Sequence, residues 1–155
     1  MIKHVWSLLC SNAITDSDSN NISIHNILEQ LTIHSHPKPK GNLSIRFEIV
    51  SLWIREDADN PCTGTSRVTF LSPSGKNLGT IELKIDLPIA ERSRNRIKVD
   101  GIQLEEQGRY IYLVELKNSD GEWESVAEIP LTVKFSPPED EKESEIDTEE
   151  LIAET

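Results

Sequence analysis

The sequence predicts an all-β fold, a two-sheet sandwich, and three observations carry that expectation. Runs rich in Val, Ile, Leu, Thr and aromatic residues recur along the chain between turn signals, which is the rhythm of short strands. Within several of these runs apolar and polar residues alternate, and a helical period of apolar residues is hard to find. All seven glycines stand where the pattern breaks, as punctuation between strands rather than as a phosphate-cradling loop.

With 155 residues the chain has room for one domain and one core. Eight strands are expected, at about 3–11, 22–33, 43–55, 65–72, 78–87, 94–102, 109–118 and 122–135. The clearest is the third, where Leu43, Ile45, Phe47 and Ile49 face one way and Ser44, Arg46 and Glu48 the other. From Val50 to Ile54 both faces turn apolar apart from Ser51, so this stretch should be covered on both sides or lie under a loop. Trp53 belongs to the core on that reading. Pro73-Ser74-Gly75-Lys76-Asn77 and Asn118-Ser119-Asp120-Gly121 supply the backbone angles of tight reversals, and both mark hairpins.

One local motif narrows the architecture. Glu106-Gln107-Gly108-Arg109-Tyr110-Ile111-Tyr112 resembles the acid-x-Gly-x-Tyr-x-Cys stretch of immunoglobulin domains, in which the tyrosine hydroxyl bonds back to upstream backbone. Tyr112 stands where the second bridging cysteine would be, so that disulfide is excluded. Tyr110, Tyr112, Val114 and Leu116 are expected on one face, answered by Trp123, Ala127, Ile129, Leu131 and Val133. The fold class is therefore an antiparallel, immunoglobulin-like sandwich.

The net charge of −11 is unevenly distributed. Residues 137–155 hold nine acidic residues and one lysine, a charge of −8, which leaves −3 for residues 1–136. The sandwich is assigned to 1–136 and the remainder is expected to be a disordered acidic tail, being too polar to offset its ordering entropy. Ile146, Leu151 and Ile152 lie at spacings that suit one apolar face of a short helix on a partner. Two cysteines in a chain of this length do not read as a secreted disulfide framework, and the apolar run Val5–Cys10 is too short for a signal core or a membrane span. A cytoplasmic location is the expectation, with no membrane partner.

Lys3-His4-Val5-Trp6-Ser7-Leu8-Leu9-Cys10 and Asn21-Ile22-Ser23-Ile24-His25-Asn26-Ile27-Leu28-Glu29-Gln30-Leu31 resemble the opening of a family of small uncharacterised bacterial proteins. Phe47–Trp53 and Val126–Leu131 fit the same family. The resemblance covers about residues 1–135; it implies a stand-alone sandwich of unknown function and transfers no catalytic residue.

The chemistry-bearing patterns are sparse. A Gly-x-Ser-x-Gly nucleophile turn is missing, and none of the four histidines stands in a triad context, so no catalytic residue and no cofactor are assigned. His34-Ser35-His36 places two imidazoles on one side of an extended segment, without the further ligands that a closed zinc site needs. Asp16-x-Asp18-x-Asn20 starts like a calcium loop, yet its sixth position is Asn21 and its twelfth Ile27. Alternating antiparallel strands would gather Asp16, Asp18, Glu56, Asp57, Asp59, Glu91 and Asp120 at one end. His34, His36, Lys38, Lys40, Lys76 and both termini would lie at the other. Asp16, Asp18, Asp57 and Asp59 are the candidate metal ligands of a calcium-dependent, C2-like alternative. The most specific hint is Arg92, Arg94, Arg96 and Lys98, a period-two basic stripe that suits an acidic partner or a guarded edge strand. With no clearly interleaved exposed aromatics, a nucleic-acid accessory role is a lesser alternative. The leading expectation is a non-enzymatic binding or adaptor module for another protein, with a salt-sensitive contact between tail and stripe.

Overall fold

A computed structural model describes residues 1–34, 41–88, 90–104 and 106–136, with residues 41–44 described by backbone alone. Among these residues nine strands form and no helix: β1 (Ile2–Thr15), β2 (Ile22–Ile27), β3 (Gln30–His34), β4 (Gly41–Arg55), β5 (Cys62–Leu71), β6 (Asn77–Leu87), β7 (Arg92–Leu104), β8 (Gly108–Lys117) and β9 (Trp123–Ser136). One sheet has the order β2-β1-β4-β7 and the other β3-β9-β8-β5-β6. The immunoglobulin-like two-sheet sandwich holds, and the acidic tail lies outside the described residues.

The alternation read in β4 and β8 sets the core. Phe47, Ile49 and Trp53 from β4, with Leu9 from β1, meet Tyr110, Tyr112 and Val114 from β8 and Leu131 and Val133 from β9, all nearly or fully buried. Phe70 of β5 stacks on Tyr112 at 4.4 Å and on Tyr110 at 5.3 Å, and Tyr112 meets Phe47 edge-on at 5.9 Å. Apolar faces of this width on two sheets are satisfied only by each other.

The tyrosine corner forms as the motif implied. The Tyr110 hydroxyl donates to the Glu106 carbonyl at 2.7 Å and accepts from the Glu106 N–H at 3.1 Å. Gly108, at φ 134°, supplies a backbone angle that a side chain disfavours. Replacing Tyr110 with Phe is expected to cost about 0.5–1.5 kcal/mol, the net worth of a buried hydrogen bond. Urea unfolding of the variant measures it, and a neutral substitution would remove the corner from the list of stabilising contacts. Both expected hairpin turns are present. Gly75 and Gly121 adopt φ 88° and 82°, and Gly121 N–H donates to Asn118 O at 3.0 Å.

Three expectations change. The single strand at 22–33 is two strands in different sheets. After Asn26, at φ 55°, the Leu28 N–H still donates to Leu9 O of β1, whereas Glu29 O already accepts from Thr132 N–H of β9. The chain thus crosses from one sheet to the other at Leu28–Glu29, and β3 then pairs parallel to β9, so the sandwich is not wholly antiparallel. Trp123 does not join the inner face. A register shift between Val114 and Glu115 turns it outward beside Lys117, where the Arg67 guanidinium lies 4.3 Å from its ring. Finally, β1 pairs Ile2 with Arg55, so Met1 lies at the Glu56 end and not beside the end of β9.

Candidate functional site

The basic stripe of β7 stands on the outer face of its sheet, where Arg94, Arg96 and Lys98 pair with Leu52, Val50 and Glu48 of β4. Two of its members are engaged by the chain itself. Arg96 Nη2 donates to Glu48 Oε1 at 2.8 Å and to the Ala13 carbonyl at 2.5 Å, while Glu48 Oε2 accepts the Ala13 N–H at 2.7 Å. Arg94 donates to the Asn20 carbonyl at 2.7 Å. Asn20 belongs to the β1–β2 turn, so the two arginines hold this hairpin folded across the outer face of the sheet. Beneath it Cys10, Ala13 and Val50 are buried, with Trp6, Leu8, Ile22 and Ile24 packed around them. That cover is why β4 is apolar on both faces at Val50. Arg92 and Lys98 remain exposed members of the stripe.

The acidic loops divide. The 56–61 loop, Glu91 and the 118–122 turn share the end marked by Met1, because Glu56 N–H donates to Met1 O and Arg55 N–H to Glu91 O. Asp16 and Asp18 instead ride on the folded hairpin. The Asp16 carboxylate accepts from Asp18 N–H and Ser19 Oγ, and Asp57 accepts from Asp59 N–H and Asn60. These bonds hold both carboxyls below the usual carboxylate range. Among the described residues, three or more His, Cys, Asp or Glu side chains do not converge anywhere. His34 ends β3, and His36 lies outside the described residues, as do Lys38 and Lys40.

A polar chain runs along the inner face of β1. His4 Nε2 bonds Ser7 Oγ at 2.7 Å, and Ser7 Oγ bonds Ser51 Oγ at 2.6 Å. Burial lowers the His4 pKa, opposed by a backbone bond with Trp6. An imidazole with a folded pKa below its unfolded value of 6.5 stabilises the fold fully above that value. Its contribution declines as pH falls from 6.5 toward the folded pKa, because the unfolded chain takes the proton first. The stability of wild type minus that of His4→Gln is expected to fall between pH 7 and pH 5. A difference flat across that window would mean that His4 titrates alike in both states.

The feature best suited to binding is a seam. The edges β6 and β7 face each other across the two sheets. At the Met1 end they are closed, where Ile85, Leu87 and Ile97 are buried and Asn95 Nδ2 donates to Lys84 O at 3.4 Å. Toward the other end the sheets part around a cavity of about 260 Å³. Phe70 and Tyr112 form its floor, Leu78 and Ile81 its β6 wall, Val99 and Ile102 its β7 wall. Ile81 is 49% exposed although its strand partner Val68 belongs to the core. Gly79 of β6 and Gly101 of β7, the latter at φ 88°, also line the opening. Glycine inside a strand marks a place where another backbone or a ligand approaches closely.

Sequence reasoning missed this seam, because it took Gly79 and Gly101 for punctuation at strand ends. A signal was present in the short link between Leu87 and Arg92, which leaves no room for a further strand at that edge. A larger hollow of about 400 Å³ at the Met1 end, lined by residues such as Ile2, Cys62 and Lys117, is of mixed character.

No family model matches the chain, and no curated protein matches it. The crystal structure of the PmoD soluble domain from Methylocystis sp. ATCC 49242 (Rockwell) is similar at 11% identity and a TM-score of 0.35, covering 84% of this chain and 95% of that one. No functional argument follows from a likeness of that degree.

Proposed function

We propose that this protein is a non-enzymatic binding module whose β6–β7 seam takes an extended segment of a partner polypeptide. The observation that carries the reading is an apolar cleft bounded by two sheet edges, each with a row of backbone groups that no strand in the described chain pairs. A polypeptide matches both halves of that arrangement. Its backbone adds to an edge and its alternate side chains fill the cleft, the mode of strand addition. At about 260 Å³ the cleft falls below the ~300–1,000 Å³ of drug-sized ligand pockets, which suits one or two side chains better than a cofactor. A reducing, cytoplasmic setting fits the two free thiols, Cys10 and Cys62.

Gly79 provides the test. A Cβ built there meets nothing within 4 Å, so Gly79→Leu is expected to fold with a melting temperature within about 2 °C of wild type while filling the cleft. Polypeptides retained by the wild-type protein should be lost about tenfold or more from the variant, and Arg92→Ala should retain them. Equal retention by wild type and Gly79→Leu would refute the seam as the binding site.

A further inference from the structure

We infer that the polypeptide taken at the seam is a second copy of this chain, whose β6 adds antiparallel to β6 and joins two five-stranded sheets into one. The inference rests on the polypeptide-binding reading and names the partner for the same edge. Backbone direction is its first ground. Strand β6 is the last of its sheet and pairs only with β5. Asn95 Nδ2 reaches the Lys84 carbonyl from β7, so the Lys84 backbone points to the free edge and away from β5. By the alternation of an antiparallel ladder, the N–H and C=O groups of Thr80, Glu82 and Asp86 point the same way. An added strand must bond to these residues. At 3.4 Å the Asn95 bond is a long one, and a backbone N–H of the second copy replaces it.

The second ground is charge complementarity, which selects the register. Thr80, Glu82, Lys84 and Asp86 form an exposed row whose charges alternate in sign. Aligned on Glu82 or on Lys84, two copies of β6 set like charges opposite each other, which is destabilising. Aligned on Ile81, neither of these charges meets its opposite. Aligned on Leu83, Glu82 meets the partner's Lys84 and Lys84 meets the partner's Glu82, because a two-fold interface repeats each contact. Lys84 has no ion pair among the described residues. On the inner face the same register sets Ile81, 49% exposed, beside the partner's Ile85, and Leu83 against the partner's Leu83.

The third ground is the contrast with the other edge of the seam. On β7 the outer row is Arg92, Arg94, Arg96 and Lys98, all of one sign, so any self-pairing of that edge opposes cation to cation. That is how a sheet edge is guarded against a second copy. Arg94 and Arg96 are also engaged within the chain, by Asn20, Ala13 and Glu48. Strand β6 has neither safeguard, since its charges complement their own two-fold image and its Ile81 lies uncovered.

The test follows the mass of the full chain by sedimentation equilibrium up to about 1 mM, because one strand pair is a small interface of the weak class. Wild type is expected to pass from one chain to two across that series. Glu82→Lys and Lys84→Glu each turn both bridges into like-charge pairs, and each should weaken self-association about tenfold. Mixed in equal amounts, the two variants restore opposite charges at both positions and should associate within about threefold of wild type. Amide spectra at low concentration check that each variant keeps the fold. Wild type that stays a single chain throughout would overturn the inference. So would a dimer that both variants form as well as wild type does, or one that the mixture fails to recover. If other polypeptides then still distinguish wild type from Gly79→Leu, the binding reading survives; if they do not, both fail.

Discussion

Replacing Arg96 with Ala is expected to destabilise the protein by about 2–3 kcal/mol, whereas Arg92→Ala, four residues earlier on the same stripe, should stay within about 0.5 kcal/mol. Breaking a buried ion pair costs about 3–5 kcal/mol where both partners are desolvated. Here the Glu48 side chain is 6% exposed but that of Arg96 is 31%, so solvent screens part of the loss. The remaining cost falls on a carboxylate left in the sheet with only the Ala13 N–H, and on an Ala13 carbonyl that loses its donor. Urea midpoints at constant slope report the difference. A cycle with Glu48→Ala should give a coupling of about 1–2 kcal/mol. The effect should be sharpest at the hairpin, with faster hydrogen exchange at Ala13 and easier proteolysis at Asp16–Asn21. Arg96→Ala as silent as Arg92→Ala would return the stripe to the status of a guarded edge.

This contrast shows what the sequence made legible. A period-two run of cations is visible by inspection, but its meaning depends on a partner 48 residues away in sequence, Glu48, and on a hairpin folded over the sheet. Strand periodicity reports which face a side chain takes, and so it found the alternation in β4, the core position of Trp53 and the double-sided cover at Val50. The tyrosine corner was legible because its bonds close within four residues. The crossing at Leu28–Glu29 was not, since apolar residues recur from Ile22 to Ile33 with no Gly or Pro to break the run. Only the competing edges of β1 and β9 decide where that run divides. The outward turn of Trp123 follows from a register shift against β8, which no local pattern announces. The seam is harder still, because it arises where the edges of two sheets, β6 and β7, part from each other, and carries no motif of its own.

Trp53 is the position at which side-chain loss should cost most. It is fully buried, its ring meets His4 edge-on at 5.1 Å, and its Nε1–H has no acceptor among the described residues. Trp53→Ala removes a large side chain from a packed interior and is expected to cost about 3–5 kcal/mol, the range for aromatic truncation in a core. Trp53→Phe should behave differently from a simple loss of volume. It retains an aromatic ring in the site and deletes the donor, and a buried donor without a partner carries a penalty of about 1–3 kcal/mol in the folded state. The gain from deleting that group offsets much of the lost packing, so the net cost of Trp53→Phe is expected to be about 1 kcal/mol. Urea unfolding of both variants separates the two terms, because Ala and Phe remove the same N–H and differ only in the volume they leave. A Trp53→Phe cost of about 2–3 kcal/mol, still below that of Trp53→Ala, would mean that the indole N–H is satisfied by a buried water, and that Trp53 stabilises the sandwich through that bond as well as through its bulk.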